Sequence, residues 1–232
     1  MRDFLFSGFK NFRYERKFYI EGLRREEAEA ILKSHPAIFR EIYYERDVNN
    51  IYLDSFDFQH YLDNVNGADR RLKVRIRWYG QLFGLIKSPT LELKLKHNLH
   101  VGKLLYPLKP FALGDNFSIG VIRGALEEST FPEIVRLHLA GLNAPLLNTY
   151  SRKYFLSSDS EYRVTVDTGM KAYELTPYQN NFLHTSADYN NVIIELKYNN
   201  PHDKFVDGIT NYFPFRMTRS SKYVDGLSRL YV

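Results

Sequence analysis

Residues 71–80 read RLKVRIRWYG. Lys73, Arg75 and Arg77 alternate with Leu72, Val74, Ile76 and Trp78. Side chains of a strand point alternately to its two faces, so three cations share one face and the apolar residues share the other. A row of like charges repels itself and calls for a reason to exist.

The pattern recurs on five further segments. In TLELKLK (90–96), Glu92, Lys94 and Lys96 oppose Leu91, Leu93 and Leu95. EYRVTVDTG (161–169) sets Arg163, Thr165 and Asp167 against Tyr162, Val164 and Val166. Glu195 and Lys197 share a face of NVIIELKY, as do Arg13, Glu15 and Lys17 of RYERKFY, and Arg152 with Tyr150 and Tyr154 of TYSRKYF. Three times a Glu precedes a Lys by two residues: Glu15-x-Lys17, Glu92-x-Lys94 and Glu195-x-Lys197. One such strand alone reads as the wet side of an antiparallel sheet. Six of them, with Arg and Lys dominating the polar positions, read as a sheet closed on itself with the polar faces inward. The apolar faces then lie outside, under helices. Cations gathered in a lumen repel and lose hydration, which disfavours their charged forms. A polyanion relieves both effects through charge-assisted hydrogen bonds to its phosphate oxygens. The interspersed carboxylates suit a hard divalent ion, Mg²⁺ or Mn²⁺, which also takes phosphate oxygens as ligands.

Composition supports a folded, strand-rich chain. Of 232 residues, 44% are hydrophobic and 25% charged, and 18 Tyr with 17 Phe favour strands. The net charge of +5 suits an anionic partner without naming one. The absence of cysteine excludes disulfides, thiolate metal sites and cysteine nucleophiles, and fits a reducing compartment. The N-terminus lacks the apolar run of a signal peptide, and no stretch approaches the roughly 20 apolar residues of a membrane helix. A cytoplasmic location is expected. No P-loop occurs, and the seven His residues show no metal-binding spacing.

Strands are expected at 12–20, 50–55, 71–80, 90–96, 99–108, 149–157, 161–169 and 191–198, with a turn at Asn66-Gly67. Helices are expected at 22–34, across 117–141 with Pro132 opening a second helix, at 202–212, and from 220 to the C-terminus. The fold class is α+β, an antiparallel barrel or large sheet in one domain spanning 1–232. Ser220 and Ser221 precede the last helix, either as caps or as part of an anion site that includes Lys222. Asp54 reads as a turn or structural residue at least as readily as a metal ligand.

The ordered series RYERKF, IYLDS, RLKVRIRWYG, LELKLK, Lys103, TYSRKYF, RVTVDT, VIIELKY and SSKYVDGL resembles a VTC domain. That is the polyphosphate polymerase branch of the triphosphate tunnel metalloenzymes, and the resemblance runs from about residue 12 to the end. It implies a tunnel of antiparallel strands with a basic interior and helices outside. It implies transfer of the ATP γ-phosphate to a polyphosphate chain with a divalent metal, Mn²⁺ or Mg²⁺. By motif, Lys17, Arg75, Arg77, Lys94, Arg152, Lys197 and Lys222 would hold phosphates, with Lys96, Lys103, Arg163 and Ser221 as secondary contacts. Glu195 would be the principal metal ligand, with Glu15, Glu92 and Asp167 as further candidates. One departure matters: the wider superfamily carries Glu-x-Glu-x-Lys on its first strand, and here Arg13 replaces the first Glu. That weakens a two-metal hydrolase, whose activated water leans on a fuller carboxylate set. Nothing resembles an SPX regulatory region, so a standalone catalytic-type domain is expected, with a membrane-protein partner left open. The competing functions are a tunnel triphosphatase and a non-catalytic polyphosphate-binding module. A nucleic-acid-binding sheet is disfavoured because Trp78 falls opposite the cations of its strand, although Tyr150 and Tyr154 share a face with Arg152.

Overall fold

The structure is a computed structural model that describes residues 13–97, 100–115 and 117–231. The first residue of the strand expected at 12–20 lies outside the described residues. The strands are β1 (Arg13–Glu21), β2 (Arg40–Ser55), β3 (Arg70–Tyr79), β4 (Gly84–Ile86), β5 (Thr90–His97), β6 (His100–Pro107), β7 (Phe111–Leu113), β8 (Leu142–Leu156), β9 (Arg163–Glu174), β10 (Thr185–Asp188) and β11 (Asn191–Asn199). The helices are α1 (Arg25–Lys33), α2 (Gln59–Val65), α3 (Ile119–Glu127), α4 (Glu133–Ala140), α5 (Asp207–Thr210) and α6 (Lys222–Tyr231), with a 3₁₀ segment at Asn200–Phe205.

Eight antiparallel strands follow one another in space as β9-β11-β1-β6-β5-β3-β2-β8, and β8 pairs back with β9 to close the ring. The expected α+β barrel is therefore the observed architecture. Strand β10 hangs on the outside of β9, and β4 and β7 form a separate small ribbon. At the β1–β6 seam, among the described residues, Arg13 lies opposite Val101.

The alternation dictates which way the wall faces. Leu72, Val74, Ile76, Trp78, Leu91, Leu93 and Leu95 are buried on the outer side against Ile122 and Ala125 of α3 and Val135 and Leu139 of α4. Pro132 is the N-cap of α4, as its position predicts. On the opposite wall, Phe18, Val164, Val166, Ile194 and Leu196 pack against Ala28 and Leu32 of α1 and against Phe213. Each such side chain contributes roughly 1.5–3 kcal/mol on burial, so a charge placed at Val74 or Ile194 would break the coat.

Helix α6 departs from the outside-only arrangement. Its apolar face, Tyr223, Leu227 and Leu230, packs on Tyr52, Leu146 and Ala172. A Cβ at Gly226 would sit 2.9 Å from Leu146 Cδ2 and 3.4 Å from Ala172 Cβ, so the helix approaches the wall as closely as only glycine allows. Asp54 ties this end together. It accepts hydrogen bonds from the backbone N–H of His60 (2.8 Å) and Tyr61 (3.0 Å) at the start of α2 and from the Tyr223 hydroxyl (2.6 Å). That is the structural role its sequence position allowed.

Several boundaries differ from expectation. β2 begins ten residues before 50, at Arg40, because its first half pairs with β8 through irregular register that breaks the apolar alternation. The short α2 follows Phe58, whose φ of 57° is left-handed, and the sequence shows only its closing Asn-Gly turn. The helix expected at 202–212 divides into the 3₁₀ segment and the single turn of α5.

Candidate active site

The inward faces enclose a solvent-open space of about 460 Å³. Its wall carries Glu15 and Lys17 from β1, Tyr52 from β2, Lys73, Arg75 and Arg77 from β3, and Lys94 from β5. Lys103 from β6, Tyr150 and Arg152 from β8, Glu195 and Lys197 from β11, and Ser221 and Lys222 at the start of α6 complete it. Nine of these residues are cations, against four carboxylates when Glu92 and Asp167, buried in contact with the wall cations, are added. The surplus of five positive charges equals the formal net charge of the whole chain.

Each carboxylate is already engaged. Arg75 Nε and Nη2 both donate to Glu92 Oε2 (3.0 and 2.8 Å), and Lys103 Nζ lies 2.6 Å from its other oxygen. Arg152 grips Asp167 with two parallel hydrogen bonds of 2.5 and 2.6 Å, and Lys222 Nζ sits 2.5 Å from Oδ2. Lys94 donates to Glu15 at 2.7 Å. Glu195 lies within 3.2 Å of Lys17, 2.9 Å of Lys197, 3.4 Å of Arg152 and 3.8 Å of Lys222. Arg77 donates to Asn50 Oδ1 at 2.8 Å and to the Tyr150 hydroxyl at 3.2 Å, and its Nη1 lies 3.5 Å from Glu92 Oε2. The Tyr150 ring lies under two further cations, 5.3 Å from Arg152 Cζ and 4.6 Å from Lys222 Nζ.

Burial opposes ionisation of Glu195, yet Lys197, Lys17, Lys222 and Arg152 hold it well below the usual carboxylate range. Burial likewise opposes Glu15, and Lys94 leads the cations that keep it ionised. The lysines divide. Burial works against Lys17, but Glu195 and Glu15 raise it above its ordinary value. Burial lowers Lys103 to about 7 in spite of Glu92, with Arg75 and Lys94 adding repulsion. Burial and then Arg71, Lys17 and Lys94 lower Lys96 to about 8. Lys73 is pushed well below the usual range by burial and then by Lys17, Lys94 and Arg75. Its Nζ donates to Ser221 Oγ at 2.6 Å, and among the described residues no carboxylate pairs with it.

Of the residues expected from sequence, Lys17, Arg75, Arg77, Lys94, Lys103, Arg152, Lys197, Ser221, Lys222, Glu15 and Glu195 come together on this wall. Lys96 lies further along β5, opposite Arg71 of β3, and Arg163 is exposed at the start of β9, both outside the lining. Glu92 and Asp167 are not part of the lining: Glu92 pairs with Arg75 and Lys103, and Asp167 shares Arg152 and Lys222 with Glu195. Lys73, Tyr52 and Tyr150 belong to the wall and were not among the expected site residues, although Lys73 stands in the opening cation row and Tyr150 on the face of Arg152. Ser221 serves both readings of its position. Its Oγ accepts from Val224 N–H in the first turn of α6 (3.4 Å) and from Lys73, so the helix start faces the lumen.

The VTC domain family model matches residues 12–231. Among solved structures, a candidate adenylate cyclase from Vibrio parahaemolyticus superposes with a TM-score of 0.51 at 10% identity, covering 93% of this chain and 98% of that one. A candidate adenylyl cyclase from Hippeastrum, described as having a dominant triphosphatase activity, gives 0.50 at 12% identity over 92% of this chain and 95% of its own. At those identities the likeness is one of fold. No curated protein matches the sequence significantly.

Proposed function

Because the chain belongs to the VTC domain family, we propose that it is an ATP-dependent polyphosphate polymerase whose barrel lumen holds the phosphates of donor and acceptor. The observation that carries this reading is the excess of cations over carboxylates in the lumen, nine against four, with Lys73 buried beside Lys94, Lys17 and Arg75 and hydrogen-bonded to the Ser221 hydroxyl. Such a wall is costly when empty and favourable around a polyanion.

Phosphoryl transfer needs positioning and charge compensation more than covalent help from the protein. Lys17, Arg75, Arg77, Lys94, Arg152, Lys197 and Lys222 supply donors from five strands and one helix start, so a chain of phosphates is gripped from several sides. Glu92 and Asp167 fix the guanidinium planes of Arg75 and Arg152 before substrate arrives, which spares reorganisation during the reaction. The attacking group is the terminal phosphate oxygen of the acceptor, so no side chain has to act as nucleophile.

The donor set suits a divalent ion held partly by substrate. Among the described residues no three carboxylate or imidazole groups converge. Glu195 is the carboxylate with most partners, and beside it on β9 the buried Thr165 hydroxyl makes no hydrogen bond. Glu195, with Glu15 on the adjoining strand, would hold Mg²⁺ or Mn²⁺ together with phosphate oxygens, as Mg²⁺ is commonly bound. Such an ion would offset charge on the transferred phosphoryl group. The same sparse carboxylate set, with Arg13 exposed at the start of β1, counts against the triphosphatase alternative.

Purified protein incubated with ATP and Mn²⁺, with and without a short polyphosphate primer, tests the reading. Long chains on a gel from wild type, and none from Glu195→Gln, are the expected result. Free phosphate without chains would establish the triphosphatase instead. Tight polyphosphate binding with neither product would leave a binding module.

A further inference from the structure

Where β2 and β8 pass one mouth of the barrel, Arg46 is the cross-strand partner of Arg152. Directly opposed residues of antiparallel strands share a face, so Arg46 lies on the face that carries the lumen cation. Tyr43 and Arg46 are three apart, and strict alternation would send them to opposite faces. The register of β2 against β8 shifts between these two residues, from Tyr43 opposite Tyr154 to Arg46 opposite Arg152. Such bulges re-aim side chains and are frequent beside active sites. Here the result is a cluster: the Arg46 guanidinium lies 5.0 Å from the Tyr43 ring, 5.6 Å from Tyr154 and 6.0 Å from Tyr79 at the end of β3. Tyr43 and Tyr154 also meet edge to face at 5.7 Å. Among the described residues the guanidinium pairs with no carboxylate: neighbouring Glu45 is taken by Arg25 and Asp47 by Ser151. Tyr43 is 48% and Tyr79 53% exposed, so two aromatic rings and a planar cation stand open to solvent at a mouth of a cation-lined lumen.

Resting on the phosphate-tunnel reading, we infer that this Arg46–tyrosine cluster is a nucleoside subsite, which stacks the base of a nucleoside triphosphate while its phosphates extend past Arg152 into the lumen. Tyrosine rings and a guanidinium plane are the groups that bind bases by stacking without reading their edges. The subsite therefore favours nucleotides over inorganic triphosphate and discriminates little among bases. Tyr154, half-buried between the cluster and Arg152 on one face of β8, links the two parts.

The test compares ATP and inorganic tripolyphosphate as ligands of wild type, Tyr43→Ala and Tyr79→Ala, by calorimetry at fixed salt. Loss of a stacking ring should weaken ATP about tenfold while tripolyphosphate stays within about twofold, and Tyr→Phe at either position should restore ATP binding. Thermal melts should fall by no more than a few degrees, because each ring is half exposed and loses only its contacts with Arg46 and, for Tyr43, Tyr154. Equal weakening of the two ligands, or unchanged ATP binding in both alanine variants, would overturn the subsite while leaving the phosphate lumen standing. Failure of wild type to bind either ligand would instead remove the phosphate-tunnel reading itself.

Discussion

Replacing Lys73 with Met should make the empty protein more stable and a worse binder of polyphosphate. The substitution keeps most of the side-chain volume and removes the charge. It forfeits the hydrogen bond to Ser221, worth about 1 kcal/mol. Against that stands repulsion from Lys94, the direct cross-strand neighbour, and from Lys17 and Arg75. Two unit charges about 7 Å apart at an effective dielectric near 20 repel by about 2.4 kcal/mol. Part of that is already relieved because burial and these neighbours shift Lys73 toward its neutral form. The net gain is then at most about 1 kcal/mol, a rise in melting temperature of up to about 4 °C for a chain of this size. In the liganded protein the same ammonium supplies one charge-assisted bond to phosphate, about 1.5–3 kcal/mol, so tripolyphosphate should bind roughly 10- to 100-fold more weakly. Melting curves recorded with and without tripolyphosphate read both effects. A variant that melts lower than wild type yet binds tripolyphosphate equally well would refute the reasoning and make Lys73 a structural residue.

Other predictions follow from the same wall. Asp167→Asn leaves Arg152 and Lys222 to share the more distant Glu195, so it should cost up to about 3–5 kcal/mol of stability, with tripolyphosphate restoring part of the lost melting temperature. The pH dependence has a defined sign. Burial lowers Lys103 to about 7, and burial with Arg71 lowers Lys96 to about 8, whereas an unfolded lysine titrates near about 10.4. Between these values the unfolded chain binds more protons, so melting temperature of the ligand-free protein should rise from pH 7 toward 9. Polyphosphate affinity should fall over the same range as the lumen loses charge; calorimetric titrations at several pH values would show whether it rises instead. Gly226→Val should destabilise by about 1–3 kcal/mol through overpacking against Leu146, and an unchanged melting temperature would mean that α6 does not plug the barrel closely.

The repeated cation rows made the sidedness of the barrel readable, because period-two alternation is a local property that each strand carries alone. RLKVRIRWYG and TLELKLK became β3 and β5 with their predicted faces, and most of the residues matched by motif reached one lumen. What was not legible depends on breaks in that alternation or on long-range placement. The first half of β2, REIYYERD, is irregular in register and polar in composition, so neither its strand nor the convergence of Arg46 with three tyrosines shows in the sequence. The amphipathic spacing of α6 predicts a buried face, but not that its partners are Tyr52 and Leu146 and that its start therefore points Lys222 into the lumen. Glu92 and Asp167 read as metal candidates from their strand faces. Which of them meets a guanidinium rather than another carboxylate is decided by strand order, Arg75 lying opposite Glu92 and Arg152 opposite Asp167.

The most direct test of the central claim is a calorimetric titration of short-chain polyphosphate into wild type and into Arg75→Ala, in which the freed Glu92 still has Lys103 and Arg77 as partners. The account predicts tight, salt-sensitive binding by wild type and a loss of at least about tenfold in the variant, the worth of one charge-assisted contact. An Arg75→Ala protein that binds polyphosphate as tightly as wild type would contradict it.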